Sequence, residues 1–150
     1  MDLILWRHAE AEDAFPDLSR ALTPHGREQA ALVAAWLKKH VSPTPRVLAS
    51  PATRTQQTAQ ALDMEYSTVD ALAPGAQPHA VLQAANWPKG EDAVIVIGHQ
   101  PTLGMAAALA MTGKIHYWSI RKGNVWWLNS RRRAGEDQSL LRAVISPDFL

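Results

Sequence analysis

Two histidines and two arginines follow apolar segments of this chain. Arg7 and His8 come directly after one apolar run, Arg54 comes shortly after a second, and His99 comes directly after a third. An arginine guanidinium presents five N–H donors in a planar fork that matches phosphate oxygens. A neutral imidazole is a nucleophile that can attack phosphorus. These residue types favour phosphoryl chemistry if the fold brings them together.

The apolar runs have the composition of strands that are buried on both faces of a parallel sheet. The predicted strands are residues 3–6, 47–49, 93–97 and a weakly alternating segment, 65–69. The first predicted helix begins at Pro24 with Thr23 as its cap. Three more are predicted at residues 51–62, 79–87 and 102–111, the first of these capped by Ser50.

Strands that alternate with helices indicate an α/β fold of three layers, with a mainly parallel central sheet and helices on both of its faces. Two late segments, Val125–Asn129 and Leu140–Ile145, resemble a hairpin added at the sheet edge. A polar connection that holds Arg131–Arg133 separates them. The length of 150 residues is typical of one domain, so we expect a single domain over residues 1–150.

This topology predicts where the four side chains meet. Ligands of such sheets bind beyond the carboxyl ends of the strands, so the two arginines and two histidines are expected at one edge. The amino ends of the second and fourth helices are expected there too, and they also favour an anion. Taken singly, such an arginine is more often an ion-pair partner and such a histidine a buried core residue. Three strand ends that deliver them to one edge favour a phosphate site.

Composition and charge exclude several other classes of protein. The formal net charge of +1 gives nucleic acid and an anionic membrane no global attraction. The absence of cysteine excludes disulfides and thiolate metal sites. The longest apolar stretch, Leu103–Met111, is too short to cross a bilayer, and the apolar start lacks the pattern of a signal peptide. We therefore expect a cytoplasmic protein with no nucleic-acid or membrane partner.

Four segments carry a further signal: LILWRHAEAE, LTPHGREQA, SPATRTQQTA and VIVIGHQP. In this order they resemble the Arg-His signature of the histidine phosphatase superfamily, the helix start that follows it, the segment with its second arginine and the segment with its second histidine. The resemblance covers residues 1–112 and implies a phosphoglycerate mutase-like fold. Order, spacing and shortness are most similar to the SixA-type phosphohistidine phosphatases, which lack the long insertions of the mutases.

The resemblance implies a role for each of these residues. His8 is the nucleophile that becomes phosphorylated, and His99 stabilises the charge on the phosphoryl group during its transfer. Arg7 and Arg54 hold the phosphoryl oxygens, and Arg20 lies where short members carry another arginine near the phosphate. The implied substrate is phosphohistidine on a partner protein. No metal or other cofactor is required, and the arginines would repel a divalent cation.

The chain departs from the mutase and ester-phosphatase members at one position. Those members place a glutamate after the third strand, where this sequence has Val69–Pro74 with Asp70 as its only acid. Glu10, close after His8, is the candidate replacement as general acid, with a solvated loop carboxylate as the alternative. Two other functions therefore stay open. One is a phosphomonoesterase for a small molecule such as a sugar phosphate, and the other is a non-catalytic module that binds phosphorylated ligands.

The C-terminal third holds a basic cluster and several tryptophans. Arg131–Arg133, with Arg121 and Lys122 nearby, are most simply a solvated hairpin, with an acidic protein or RNA as the alternative partner. Strand alternation would bury one of the adjacent Trp126 and Trp127 and expose the other. An interaction patch is therefore the alternative to sheet-edge packing.

Overall fold

The computed structural model describes residues 1–90 and 92–150 and places six strands of this part of the chain in one mixed sheet. The strands are β1 Asp2–Arg7, β2 Arg46–Ala49, β3 Ser67–Thr68, β4 Ala93–Gly98, β5 Val125–Arg133 and β6 Glu136–Ile145. Their order across the sheet is β3-β2-β4-β1-β5-β6. The first four are parallel, β5 pairs antiparallel with β1, and β6 pairs antiparallel with β5. The late hairpin is therefore added at one edge, as predicted.

Four helices of the described chain cover both faces of the sheet. They are α1 Pro24–His40, α2 Thr53–Gln60, α3 Pro78–Ala85 and α4 Thr102–Thr112. Apolar side chains of α1 and α2 pack with Ile4 and Trp6 of β1 on one face. Those of α3 and α4 pack with Leu3 and Leu5 on the other. Successive residues of a strand point to opposite faces, so β1 contributes to both cores. The predicted three-layer α/β fold is confirmed.

Helix α2 begins later than the sequence predicts. The segment Ser50-Pro51 was expected to start the helix, but the helical residues are Thr53–Gln60 and the cap position is Ala52. The Ser50 side chain is fully buried and lies against the ring of His99, with 2.7 Å between Oγ and Nε2. A contact between residues far apart in sequence thus replaces the expected local cap.

The prediction that Arg131–Arg133 lie in the connection of the late hairpin is wrong. These residues belong to β5 and pair with Glu136–Gln138 of β6. The connection is only Ala134-Gly135, whose φ angles of 52° and 80° form the tight turn of a two-residue hairpin. The ends of both strands extend into solvent, so polar residues form regular strands there without an apolar face. Composition alone therefore made a strand resemble a loop.

Within the described residues, no helix combines the length and the hydropathy needed to span a membrane.

Candidate active site

The parallel pairing of β1 with β4 places the two histidines side by side. Arg7 lies opposite Gly98 in the register, so that His8 and His99 each follow the end of a neighbouring strand. The backbone N–H of His8 donates to the carbonyl of Gly98 at 3.1 Å. The ring centroids of the two histidines are 5.3 Å apart. The structure thus brings together the pair that the strand-end argument placed at one edge.

The hydrogen bond of His8 determines which ring nitrogen is free. The side chain is 6% exposed, and its Nδ1 lies 2.8 Å from the backbone carbonyl of Ala9. A carbonyl oxygen only accepts, so Nδ1 carries the proton and Nε2 keeps its lone pair. Burial, together with the charges of Arg54 and Arg7, lowers the pKa of His8 from its ordinary value of 6.5 to about 4. At neutral pH His8 is therefore an uncharged imidazole with a free Nε2.

His99 is oriented through the hydroxyl of Ser50. Ser50 Oγ accepts the backbone N–H of Ala52 at 3.3 Å and lies 2.7 Å from His99 Nε2. We assign Nε2 as the acceptor, because it is the one acceptor among the described residues within hydrogen-bond distance of this buried hydroxyl. Nδ1 of His99 then carries the ring proton, and it is buried with no partner among the described residues. Burial, then the charge of Arg54, lowers the pKa of His99 to about 3. The ring is a neutral donor whose N–H is unused.

The two arginines keep part of their hydrogen-bonding capacity free. Arg7 donates through Nη1 to the carbonyl of Ile120 at 3.0 Å, and Arg54 donates through Nη1 to the carbonyl of Asp17 at 2.9 Å. The Nε atoms of both are buried without a partner in the described chain. Burial and the neighbouring Arg54 lower the pKa of Arg7, which shows that the two cations repel each other. A bound anion would relieve this repulsion.

Arg20 joins the cluster through the carboxylate of Asp17, which the sequence analysis did not select. Asp17 lies 3.2 Å from Nη1 of Arg20 and 3.2 Å from Nη2 of Arg54, through its two oxygens. The hydrogen bond from Arg20, and the charge of Arg54, lower the pKa of Asp17. The side chain remains 54% exposed. Nothing in its sequence neighbourhood distinguishes Asp17 from the other polar residues of this loop.

The carboxylate of the candidate acid Glu10 forms a hydrogen bond within the described chain. Its carboxylate accepts the hydroxyl proton of Thr23 at 2.7 Å, at the amino end of α1. A Cβ on Gly26 would lie within 1.9 Å of the Glu10 carbonyl oxygen, so only glycine permits this close approach. Among the described residues, no hydrogen bond joins the Glu10 carboxylate to either histidine. Asp70 is exposed in a 3-10 turn after β3.

Known proteins resemble this chain in sequence and in fold. The sequence profile of the histidine phosphatase superfamily (branch 1) matches residues 3–73. A phosphohistidine phosphatase SixA homolog of Haemophilus influenzae is 33% identical over 124 residues, which are 72% of this chain and 76% of that protein. Phosphohistidine phosphatase SixA of Escherichia coli is 32% identical over 76% of each chain. The solved structure of the protein histidine phosphatase SixA complexed with tungstate superposes with a TM-score of 0.83, at 25% identity over 99% of both chains.

Fold and sequence together define a phosphatase of the α/β class. The chain belongs to the histidine phosphatase superfamily, and its relatives place it with the SixA-type members. The family resemblance stated from the sequence motifs is confirmed.

The lowered pKa values of His8 and His99 predict an unusual titration. Both imidazoles lose hydration on folding, so their protonation is shifted below the ordinary value of 6.5, to about 4 and about 3. Ring C–H signals in NMR spectra, assigned with His8→Gln and His99→Gln variants, are expected to stay constant from about pH 8 to about pH 5. The unfolded chain binds protons below about pH 6.5, so the stability from these two groups is fully present above that pH and is lost as the pH falls from there to about 4 for His8 and to about 3 for His99. A midpoint near 6.5 for either ring would contradict this assignment.

The Ser50 contact predicts a loss of activity without a loss of fold. In Ser50→Ala, His99 loses the donor that holds its proton on Nδ1, so both tautomers become populated. We expect kcat for an aryl phosphate to fall about tenfold, the effect of one positioned hydrogen bond. Long-range proton–nitrogen NMR spectra should show the change of tautomer directly. Ser130→Ala is the control, since Ser130 is also buried and hydrogen-bonded but lies at the other end of the sheet. Unchanged kcat and tautomer in Ser50→Ala would refute the positioning role.

Proposed function

We propose that this phosphatase removes phosphate from phosphohistidine on a protein through a covalent phospho-His8 intermediate. The roles follow from the positions of the side chains. Nε2 of His8 is free for attack because the ring proton lies on Nδ1, which donates a hydrogen bond to the Ala9 carbonyl. Arg7 and Arg54 have unused donors beside it, and His99 offers a buried N–H. An attacking lone pair thus lies among donors for the phosphoryl oxygens.

In the first step, the lone pair of His8 Nε2 forms a bond to phosphorus as the phosphorus–nitrogen bond of the substrate breaks. The bonding pair leaves with the substrate imidazole. The guanidinium groups and the His99 N–H stabilise the charge on the three equatorial oxygens. The His8 ring becomes cationic because Nε2 now carries the phosphoryl group while Nδ1 keeps its proton. That Nδ1–H still donates its hydrogen bond to the Ala9 carbonyl. The dipole of that carbonyl stabilises the cation.

In the second step, water attacks the phosphorus of phospho-His8 from the side that the departed imidazole has vacated. The phosphorus–nitrogen bond breaks, its electron pair returns to Nε2, and the water proton leaves with phosphate or passes to solvent. Splitting the reaction into two displacements lets the same arginines and the same His99 stabilise both transition states. His8 ends the cycle as the neutral imidazole with which it began.

The choice of substrate rests on the hydrogen bonding and ionisation of two carboxylates, Glu10 and Asp17. The Glu10 carboxylate accepts a hydrogen bond from the Thr23 hydroxyl. Arg20 and Arg54 lower the pKa of Asp17, so this carboxylate stays ionised and is a poor proton donor. An alkoxide leaving group is strongly basic and normally needs a proton donor. Phosphohistidine does not, because its second ring nitrogen can already be protonated near neutral pH. The relatives in Escherichia coli and Haemophilus influenzae, both named for phosphohistidine phosphatase activity, support the same substrate.

Replacement of His8 tests the intermediate. In His8→Ala and His8→Gln we expect kcat to fall by at least about 10³, because the nucleophile is lost, while circular dichroism stays that of the native protein. Wild-type protein quenched in detergent at alkaline pH during turnover should carry phosphate on His8. His79→Ala, which removes an exposed histidine of α3, is the control and should retain full activity. Persisting turnover or labelling in either His8 variant would overturn the mechanism.

The choice of substrate is tested with a series of leaving groups. We expect kcat/KM for a phosphohistidine protein to exceed that for a sugar phosphate by at least about 10³, the middle of the range for a missing general acid. Aryl phosphates with acidic phenols should fall between the two, because they leave without a proton. If alkyl esters react as fast as phosphohistidine, a working acid is present and the small-molecule phosphomonoesterase replaces our proposal. If none of these compounds reacts, the chain is a binding module.

A further inference from the structure

A tight turn is fixed against the strand that carries His8. In the turn Arg121–Asn124, the N–H of Asn124 donates to the carbonyl of Arg121 at 3.0 Å, and Gly123 has a φ of 75°. The N–H of Gly123 donates to the carbonyls of Arg7 and His8 at 3.2 and 3.0 Å, and Arg7 N–H donates to the Asn124 carbonyl at 3.1 Å. Such a network holds the turn rigidly beside the active site.

The two residues at the exposed side of this turn are Arg121 and Lys122. Together with Arg7 they line an open cavity of about 400 Å³, to which Asp148 contributes the single carboxylate. Neither Arg121 nor Lys122 forms an ion pair with a residue that the structure describes. The cavity thus presents an excess of positive charge to solvent, directly beside a side chain of the phosphate site.

Exposed cations are usually solvated and contribute little, and two arginines of the C-terminal third have an acidic partner. Arg132 pairs with Asp137 at 3.6 Å, and Arg142 pairs with Asp2 at 3.2 Å. Arg121 and Lys122 lack a described acidic partner and lie next to Arg7. Arg131 and Arg133 lack one too, but they lie at the far end of the late hairpin. Because the backbone of the turn is already fixed, only the two side chains must be ordered when an anionic group binds.

The surface continues from this cavity into an apolar groove of about 460 Å³, and Ser119 lines both. Trp118, Trp126 and Tyr117 line the groove, and Tyr117 is 81% exposed. A metabolite phosphate would be too small to reach beyond the cations into this groove. A segment of a protein has the length to pass over the cations and continue along this face.

We propose that the Arg121–Lys122 turn is a docking element for acidic residues that flank the phosphohistidine in the partner protein. The inference rests on the proposed function and adds the charge of the substrate segment to it. Complementary charge steers association and fixes the orientation of the partner. The turn should therefore raise kcat/KM for an acidic phosphohistidine segment and leave kcat/KM for small phosphates unchanged.

The experiment uses two synthetic peptides of one sequence with a central histidine phosphorylated by phosphoramidate. One has glutamates on both sides of this histidine, and the other has glutamines at the same positions. An aryl phosphate is the small substrate. At low salt, the wild-type protein should prefer the acidic peptide by about tenfold in kcat/KM, and roughly 0.5 M salt should remove most of this preference. The double variant Arg121→Glu/Lys122→Glu should abolish or reverse it, with the aryl phosphate changed by less than about threefold.

The matched control is Lys38→Glu/Lys39→Glu, which makes the same change of net charge at the exposed end of α1. This end of α1 leads to the amino end of β2, at the opposite edge of the sheet. The control should keep the preference of the wild-type protein.

Four outcomes would overturn the inference, and they are distinguishable. If the variant with the reversed turn still prefers the acidic peptide, or if the control loses the preference equally, the turn is not a docking element. If kcat/KM of the Arg121→Glu/Lys122→Glu variant falls equally for both peptides and for the aryl phosphate, the turn acts on the phosphate site itself. In these cases the proposed function stands. If wild-type protein hydrolyses the aryl phosphate and neither peptide, the proposed function fails and the inference fails with it.

Discussion

The register between β1 and β4 is the constraint on which the site depends. In a strand that is apolar on both faces, side-chain alternation does not fix the register, because a slip by one residue exchanges Leu3 and Ile4 between two apolar cores. The polar residues at the strand ends fix it instead. Arg7 is the last residue of β1, opposite Gly98, and a slip that drew it further into the sheet would take its guanidinium away from the Ile120 carbonyl to which it donates. The same residues that mark the end of the strand are therefore those that form the site.

Positive charge and neutral histidines depend on each other in this arrangement. Burial keeps His8 and His99 uncharged at neutral pH, and the nearby Arg54 shifts both pKa values in the same direction. In the proposed mechanism a protonated His8 could not act as a nucleophile, so the cations that would bind phosphate add to the effect of burial in keeping this ring neutral. Asp17 offsets part of their charge from an exposed position. A phosphate group that enters must compete with this carboxylate for Arg54.

The sequence was sufficient to predict the α/β architecture and the sheet edge at which Arg7, His8 and His99 follow the ends of strands. The catalytic roles of these residues stay predictions. Local composition marks a buried strand such as Ala93–Gly98, and a strand end determines where the next residue lies. The errors concern residues whose roles depend on distant partners. Ser50 resembles a helix cap until the position of His99 is known. The role of Glu10 as general acid stays a prediction, and its carboxylate accepts a hydrogen bond from Thr23. Asp17 had no signal because its partner Arg54 is far along the chain.

The direction of β5 explains why two basic groups of the C-terminal third have different surroundings. An antiparallel strand begins at the edge where its parallel neighbour ends, so the segment that enters β5 arrives beside Arg7 and His8. The far end of the hairpin, with Arg131–Arg133, is carried to the opposite edge and beyond the sheet. A parallel fifth strand would have exchanged these positions and moved the Arg121–Lys122 turn away from the phosphate site. Because β5 runs antiparallel to β1, the Arg121–Lys122 turn lies at the edge of the sheet that holds the candidate active site.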